Sequence, residues 1–434
     1  MIDLQQEAML IRQWRPYREC GILSRISGTL LEAQGLSACL GELCQISLSR
    51  SSSLLAEVIG IHNQTTLLQA LTHIHHLALG SEVIPLRRPA SLPLSHHLLG
   101  RVIDGFGNPL DGNPPLPKTH LSSLFSSPPS PMSRLPIEEV FPTGIRAIDA
   151  LLTVGEGQRV GIFSEPGGGK SSLLSMIAKG SQQTINVIAL IGERGREVRE
   201  YIDQHKEGLS TQRTVIIAST AHETAASKVI AGRAAITIAE YFRDQGARVL
   251  FIMDSLSRWI ESLQEVALAR GETLSTHHYA ASVFHHVAEF LERAGNNDKG
   301  SMTSFYALLH YANHPDIFND YVKSLLDGHF FLIPQEKSIS SPPINLLTSL
   351  SRSARQLSLP HHYAAAQEVL SLLKAYHEAI DIIQLGAYVA GQDAVLDRAI
   401  RLLPSFREFL SQPLSNYSAI QDTIKQLCQL LQHE

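Results

Sequence analysis

An apolar run, Arg159-Val-Gly-Ile-Phe163, leads directly into Ser164-Glu-Pro-Gly-Gly-Gly-Lys170-Ser171, and the apolar stretch Ser172-Leu-Leu-Ser-Met-Ile-Ala178 follows with helical character. A strand, a glycine-rich turn and a helix in that order form a cradle for phosphate. Gly167, Gly168 and Gly169 let the turn bring backbone N–H groups onto the oxygens of a polyphosphate, and the helix N-terminus adds positive potential. Lys170 places a charge on the β- and γ-phosphates, the Ser171 hydroxyl is suited to ligate Mg2+, and Ser172 lies beside them in the first helical turn. The first position of the usual G-x-x-x-x-G-K-S pattern is Ser164 here, and Glu165 beside it is unfavourable near a polyphosphate unless its carboxylate turns away.

A loop of this kind sits at the edge of a parallel sheet, and the surrounding sequence predicts one. Between residues 157 and 309 the apolar runs Asn186–Ile191, Thr214–Ala218 and Val249–Met253 alternate with helix-length amphipathic stretches. Continuous apolar strands separated by helices imply a sheet covered on both faces. Two of these runs end in acids. Asp254 follows Val249-Leu-Phe-Ile-Met253 at the strand end where such sheets bind ligands, and there it would hold Mg2+ through water. The competing reading is a helix N-cap ahead of Leu256. Glu193 follows Asn186–Ile191 and would orient and polarise an attacking water, with Arg194 supplying charge beside it. The alternative for that pair is a surface ion-pair cluster, worth under about 1 kcal/mol.

The flanks read differently. Short alternating runs at Gly21–Leu30, Leu54–Ile61 and Glu82–Leu86 predict a small all-β barrel or sandwich, and residues 113–136, which carry seven of the 21 prolines, predict a surface loop. From about Ala354 the pattern is helical: Val369, Leu372, Leu373, Tyr376, Ile380 and Ile383 keep one stripe, and Ile420, Ile424, Leu427 and Leu431 another. Met1–Trp14 reads as an amphipathic docking helix or a frayed terminus.

Composition narrows the function class. The 434 residues carry a formal net charge of -5, without the basic excess of a nucleic-acid coat, and 44% are apolar, which excludes wholesale disorder. The start shows no signal peptide and no apolar run reaches membrane-spanning length. Cys20, Cys39, Cys44 and Cys428 fit neither a disulfide framework nor a zinc site, so a cytoplasmic chain with reduced thiols is expected. The 20 histidines include five doublets, but adjacent side chains diverge on helix and strand alike and chelate poorly.

Further motifs point to a family. Gly192-Glu-Arg-Gly-Arg-Glu-Val198, Leu99-Gly-Arg-Val-Ile-Asp-Gly-Phe-Gly-Asn-Pro-Leu-Asp-Gly112, Thr143-Gly-Ile-Arg-Ala-Ile-Asp149, Tyr241-Phe-Arg-Asp-Gln-Gly246, Met253-Asp-Ser-Leu-Ser-Arg258 and Leu291-Glu-Arg-Ala-Gly295 resemble the flagellar and type III secretion export ATPases. These in turn are similar to the catalytic subunits of rotary F- and V-type ATPases. Leu385-Gly-Ala-Tyr-Val-Ala-Gly-Gln-Asp393 and the helical end favour the secretion branch, and the resemblance runs from about residue 20 to the C-terminus.

The resemblance implies an α/β RecA-like P-loop core (89–355) with an N-terminal β-barrel domain (17–88) and a C-terminal helical domain (356–434). It implies Mg2+-dependent ATP hydrolysis in a homo-oligomeric ring, usually a hexamer, with each nucleotide between subunits. Lys170, Ser171 and Asp254 take the phosphate and metal roles, Glu193 activates water, and Arg194 and Arg258 line the γ-phosphate. Pro342–Arg352 matches the family's P-A-I-D-x-x-x-S-x-S-R stretch, which makes Arg352 the arginine finger of a neighbouring subunit's site. Ser341 stands where the family usually has a tyrosine that stacks on adenine, and Thr276–Phe284 lacks the family's arginine and two prolines. Implied partners are a stator-like regulator, a central stalk protein, an export gate and chaperone–cargo complexes, which would hold the ring at the cytoplasmic face of the inner membrane. Two alternatives stay open: a rotary-ATPase catalytic subunit, disfavoured because Ala390–Asp397 lacks an acidic run, and an attenuated nucleotide-binding scaffold. An RNA-translocating ring is disfavoured by charge.

Overall fold

A computed structural model describes residues 19–48, 52–117, 121–181, 183–205, 212–275, 278–311 and 316–432. Met1–Trp14, Tyr17 and Thr276 lie outside them.

The first region is a closed barrel of six strands, β1 (Gly21–Ser27), β2 (Leu30–Gln34), β3 (Glu42–Ser47), β4 (Ser53–His62), β5 (Thr65–Ala70) and β6 (Glu82–Pro89), in the order β1-β2-β5-β4-β3-β6. In β4, Leu54, Ala56 and Val58 point inward and are buried, while Ser53, Leu55 and Glu57 face out, the period of two that a one-sided core requires. They meet Leu23, Leu31, Ile46, Leu68 and Val83 in the barrel core. Closure removes the sandwich alternative. The run Gly21–Leu30 is not one strand: Gly28, at φ +60°, turns the chain so that Leu30 opens β2.

After two short strands, β7 (Ser91–Pro93) and β8 (Val102–Ile103), and β9 (Leu121–Ser123), which pairs with β7, the chain builds the main sheet. Its strands are β10 (Arg159–Ser164), β11 (Ile185–Glu193), β12 (Thr214–Thr220), β13 (Arg248–Asp254), β14 (Ser301–Leu309), β15 (Gly328–Phe331) and β16 (Leu350–Ser351), joined by β8. The order is β16-β15-β10-β14-β13-β11-β12-β8, parallel throughout except for the antiparallel edge strand β16. Alternate residues of one strand serve two cores. Val187, Ala189 and Ile191 pack with the helices Ala225–Asp244, Leu256–Ala269 and Ala281–Glu292, whereas Ile188 and Leu190 face the helices Arg146–Leu151 and Lys170–Gly180. Burial on both faces explains why these strands read as unbroken apolar runs.

The central strand β14 was not legible as a strand because Ser301, Thr303 and Ser304 interrupt the apolar pattern. They are buried all the same, and the Thr303 hydroxyl accepts a hydrogen bond from the Gly157 N–H. The C-terminal helices Pro360–Glu378, Ala394–Leu410 and Ile420–Gln432 place Val369, Leu373, Phe406 and Leu427 in the same core as the helix Lys170–Gly180. Asp393 caps the second of them, accepting from the backbone N–H groups of Val395 and Leu396. No helix among the described residues is long and apolar enough to cross a membrane.

Candidate functional site

The glycine-rich loop leaves the carboxyl end of β10. Gly167 and Gly169 take φ of +77° and +87°, values open to glycine, and the N–H of Gly168 donates to the Glu165 carbonyl (3.1 Å). A Cβ on Gly168 would lie 3.1 Å from that same carbonyl oxygen, so all three glycines are needed for the tight turn. Ser164, at the position usually held by glycine, is buried and spends its hydroxyl on the Glu165 carbonyl (2.9 Å), inside the loop. The Glu165 side chain is exposed at the rim.

Behind the loop, the Ser171 hydroxyl donates to Asp254 Oδ2 at 2.7 Å, joining the first turn of the helix to the end of β13. Asp254 is 3% exposed, and its other oxygen, Oδ1, has no hydrogen-bond partner among the described residues. Burial pushes this carboxyl above its ordinary pKa, opposed by the Ser171 bond and the Lys170 charge. The helix-cap alternative fails here, because Ser255 caps the following helix by accepting from the Arg258 N–H. An orphaned, buried carboxylate oxygen beside a serine hydroxyl and a cavity of about 170 Å3 lined by Ser171, Glu193, Glu197 and Asp254 is a hard-oxygen donor set of the kind Mg2+ takes.

Glu193 ends β11, next to β13 in the sheet. Burial, the Asp254 charge and a hydrogen bond with Glu197 push its pKa up to about 7, with Lys170 pulling the other way. Lys170 is half-buried, and desolvation lowers its pKa against the pull of Asp254 and Glu193. Glu197 was missed in the sequence; it lies in the first turn of the helix Gly195–His205, just after Glu193 ends β11.

The arginines separate. The stem of Arg258 lies on Gly192, where a Cβ would come within 2.7 Å of it, and its guanidinium donates to Glu261 (2.9 Å) at the rim near Glu193. Arg194 is not brought to the P-loop: its side chain is 83% exposed and pairs with Glu197 at 3.7 Å. Arg352 lies at the opposite pole of the sheet. Its N–H donates to the Asp327 carbonyl, and Ser351 pairs with Gly328, which in turn sits opposite Val160 at the start of β10. The P-loop leaves the far end of that strand, roughly 13 Å away at about 3.3 Å per residue. The exposed Arg352 is thus remote from its own chain's P-loop.

Beside the loop opens a cavity of about 900 Å3, lined by Gly167, Gly168, Gly169 and Ser172 together with Phe331, Ser341, Pro342, Pro343 and Leu414, with Pro343 beside Gly169. Ser341 is at its wall. Phe331, Pro343 and Leu414 carry no local signal, since they come from the end of β15 and two separate loops that only the fold assembles.

Three family models cover most of the chain: the ATP synthase alpha/beta family beta-barrel domain over residues 23–87, its nucleotide-binding domain over 144–351, and the T3SS EscN ATPase C-terminal domain over 359–429. The type 3 secretion system ATPase of Xanthomonas euvesicatoria is 39% identical over 94% of this chain and 93% of its own length. The chain belongs to this family of ATPases. The flagellum-specific ATP synthase of Bacillus subtilis is also 39% identical, over 96% of both chains. The assembled ATPase EscN of the enteropathogenic E. coli type III secretion system matches with a TM-score of 0.89 at 36% identity, covering 95% of this chain and all of that one; the same protein in complex with its central stalk EscO matches at 0.88.

Proposed function

We propose that this ATPase hydrolyses Mg·ATP at sites shared between neighbouring subunits of a ring, and that the energy drives protein export through a flagellar or injectisome apparatus. The observation that carries this reading is the division of the machinery. Lys170, Ser171, Asp254 and Glu193 converge at one pole of the sheet, while Arg352 stands exposed at the other, the placement that service to another subunit's nucleotide calls for.

In this reading the P-loop backbone and Lys170 hold the β- and γ-phosphates, and the base lies in the larger cavity. Ser171 and Asp254 would hold Mg2+, which supplies charge neutralisation on the phosphate oxygens. Glu193, ionised, accepts a hydrogen bond from water and aims its oxygen at the γ-phosphorus. As the new P–O bond forms, the bond to the bridging oxygen of ADP breaks, the water's proton passes by way of Glu193 to an oxygen of the released phosphate, and Arg258 and the neighbour's Arg352 stabilise the spreading negative charge. Arg194, solvent-facing within one chain, would join only if ring contacts turn it inward. The ring, the central stalk partner, and the regulator, gate and chaperone–cargo partners belong to this proposal, as do attachment to the cytoplasmic face of the inner membrane and the domain limits 17–88, 89–355 and 356–434.

Turnover of Mg·ATP by the full chain, measured per subunit across a concentration series, tests it. The rate should climb steeply as subunits assemble. A rate independent of concentration would make each chain self-sufficient and remove the role given to Arg352, and binding without turnover in assembled rings would leave a scaffold.

A further inference from the structure

The strand that ends in the P-loop begins at a buried clamp. Gln158, the residue before β10, is fully buried. Its Oε1 accepts from the Gly155 N–H (2.8 Å), and its Nε2 donates to the Asp327 carbonyl (3.1 Å) and to the Ser351 hydroxyl (3.0 Å), so both amide hydrogens are used. The Ser351 hydroxyl in turn donates to the Thr153 carbonyl (2.7 Å). Asp327 is also fixed through its carboxylate: the backbone N–H and the Nε of Arg159 both donate to Oδ2 at 3.0 Å. The Asp327 carbonyl is the same oxygen that accepts the Arg352 N–H (3.0 Å). The Arg352 guanidinium has no hydrogen-bond or ion-pair partner among the described residues, so that side chain is placed from its backbone. The surroundings are close-fitting: a Cβ on Gly328 would lie 3.0 Å from Gln158 Nε2 and 3.0 Å from the Leu350 carbonyl oxygen.

We propose that Gln158 is a positioning residue for Arg352: by clamping the Asp327 carbonyl and the Ser351 hydroxyl, it fixes the backbone from which Arg352 extends toward the neighbouring subunit's nucleotide. The inference rests on the shared-site reading above. A fully bonded buried amide suits the task, because its loss frees both the Asp327 carbonyl and Ser351 to shift. A catalytic group misplaced by about 1 Å loses on the order of 10²-fold in rate. Strand β10 thus starts at the platform of the finger lent to the next subunit and ends at the cradle for the chain's own nucleotide.

Gln158→Glu keeps the acceptor for Gly155 and loses both donors. In assembled rings it should lower Mg·ATP turnover about 10²-fold while ADP affinity stays at the wild-type value. Adding it to Arg352→Ala should cost less than about a further twofold, because both act through one group. Subunit exchange then separates positioning of the finger from damage to the strand. Mixed with Lys170→Ala, which keeps Arg352, the Gln158→Glu chain brings an intact P-loop to an intact finger, and turnover should return well above that of either variant. Mixed with Arg352→Ala, it should rise no higher than its own level. Ser351→Ala, which removes one acceptor of the clamp, should show the same asymmetry with a loss of about fivefold, and it keeps the test decisive if Gln158→Glu fails to fold. The inference is overturned if recovery comes with Arg352→Ala instead, which would make Gln158 a support of its own P-loop. It is equally overturned if recovery comes with neither partner, or if Gln158→Glu turns over like wild type. Lys170→Ala mixed with Arg352→Ala is the control: if those rings stay inactive, the shared-site reading itself falls, and this inference with it.

Discussion

The phosphate end and the base end of the cleft are built on different principles. At the phosphate end, one strand–loop–helix unit supplies the backbone cradle, Lys170 and Ser171, and the ends of β13 and β11, beyond β14 in the sheet, add Asp254 and Glu193. Asp254 is buried there and bonded to Ser171 at 2.7 Å, while Lys170 and Glu193 are half-buried around it. At the base end, Phe331, the Ser341–Pro342 pair and Leu414 come from three separate segments and offer mostly apolar surface. On the proposed function, the phosphate end carries the chemistry and the base end contributes affinity.

That contrast predicts a ranked series of effects. Arg352→Ala, outside both ends of its own cleft, should lower turnover in assembled rings by about 10³- to 10⁵-fold, the range of arginine fingers in GTPases, with ADP binding unchanged by titration. Glu193→Gln should lower kcat by about 10²- to 10⁴-fold while leaving nucleotide affinity close to wild type; equal loss of affinity would make Glu193 a binding group. Glu197→Gln removes a charge and alters a hydrogen bond, both of which raise the Glu193 pKa. In wild type, the acid limb of kcat/KM should fall as pH drops through about 7, because protonated Glu193 cannot accept from water; in the variant that limb should move to lower pH. An unmoved limb would assign it to another group. The smallest effect belongs to the base end. Ser341→Tyr should tighten ADP by roughly five- to fiftyfold, as one added stacking contact does in nucleic-acid complexes, with little change in kcat.

The same contrast marks what could be read from the amino-acid order. The P-loop, Asp254 and Glu193 were legible because their chemistry is encoded within a few residues of a strand end. Strands β10 to β13 were legible because burial on both faces leaves an unbroken apolar run. β14 was hidden by Ser301, Thr303 and Ser304, polar residues that the fold buries. The barrel could not be told from a sandwich by alternation alone, since both bury one face of every strand. The place of Leu414 on the cavity wall depends on contacts spanning more than 260 residues, since the nearby Gln412 side chain bonds to the backbone of Gly144 and Arg146. Arg194 shows the opposite case: its motif assigns a role that one chain, by itself, does not display.

The central claim is that each site joins one subunit's P-loop pole to another's Arg352. Mixing two inactive proteins tests it most directly: Lys170→Ala, which keeps Arg352, and Arg352→Ala, which keeps the P-loop. After subunit exchange at equal amounts, about one interface in four should pair an intact P-loop with an intact Arg352. Mg·ATP turnover should then return well above that of either variant alone. Mixed rings that assemble yet stay as inactive as their parents would contradict the shared site.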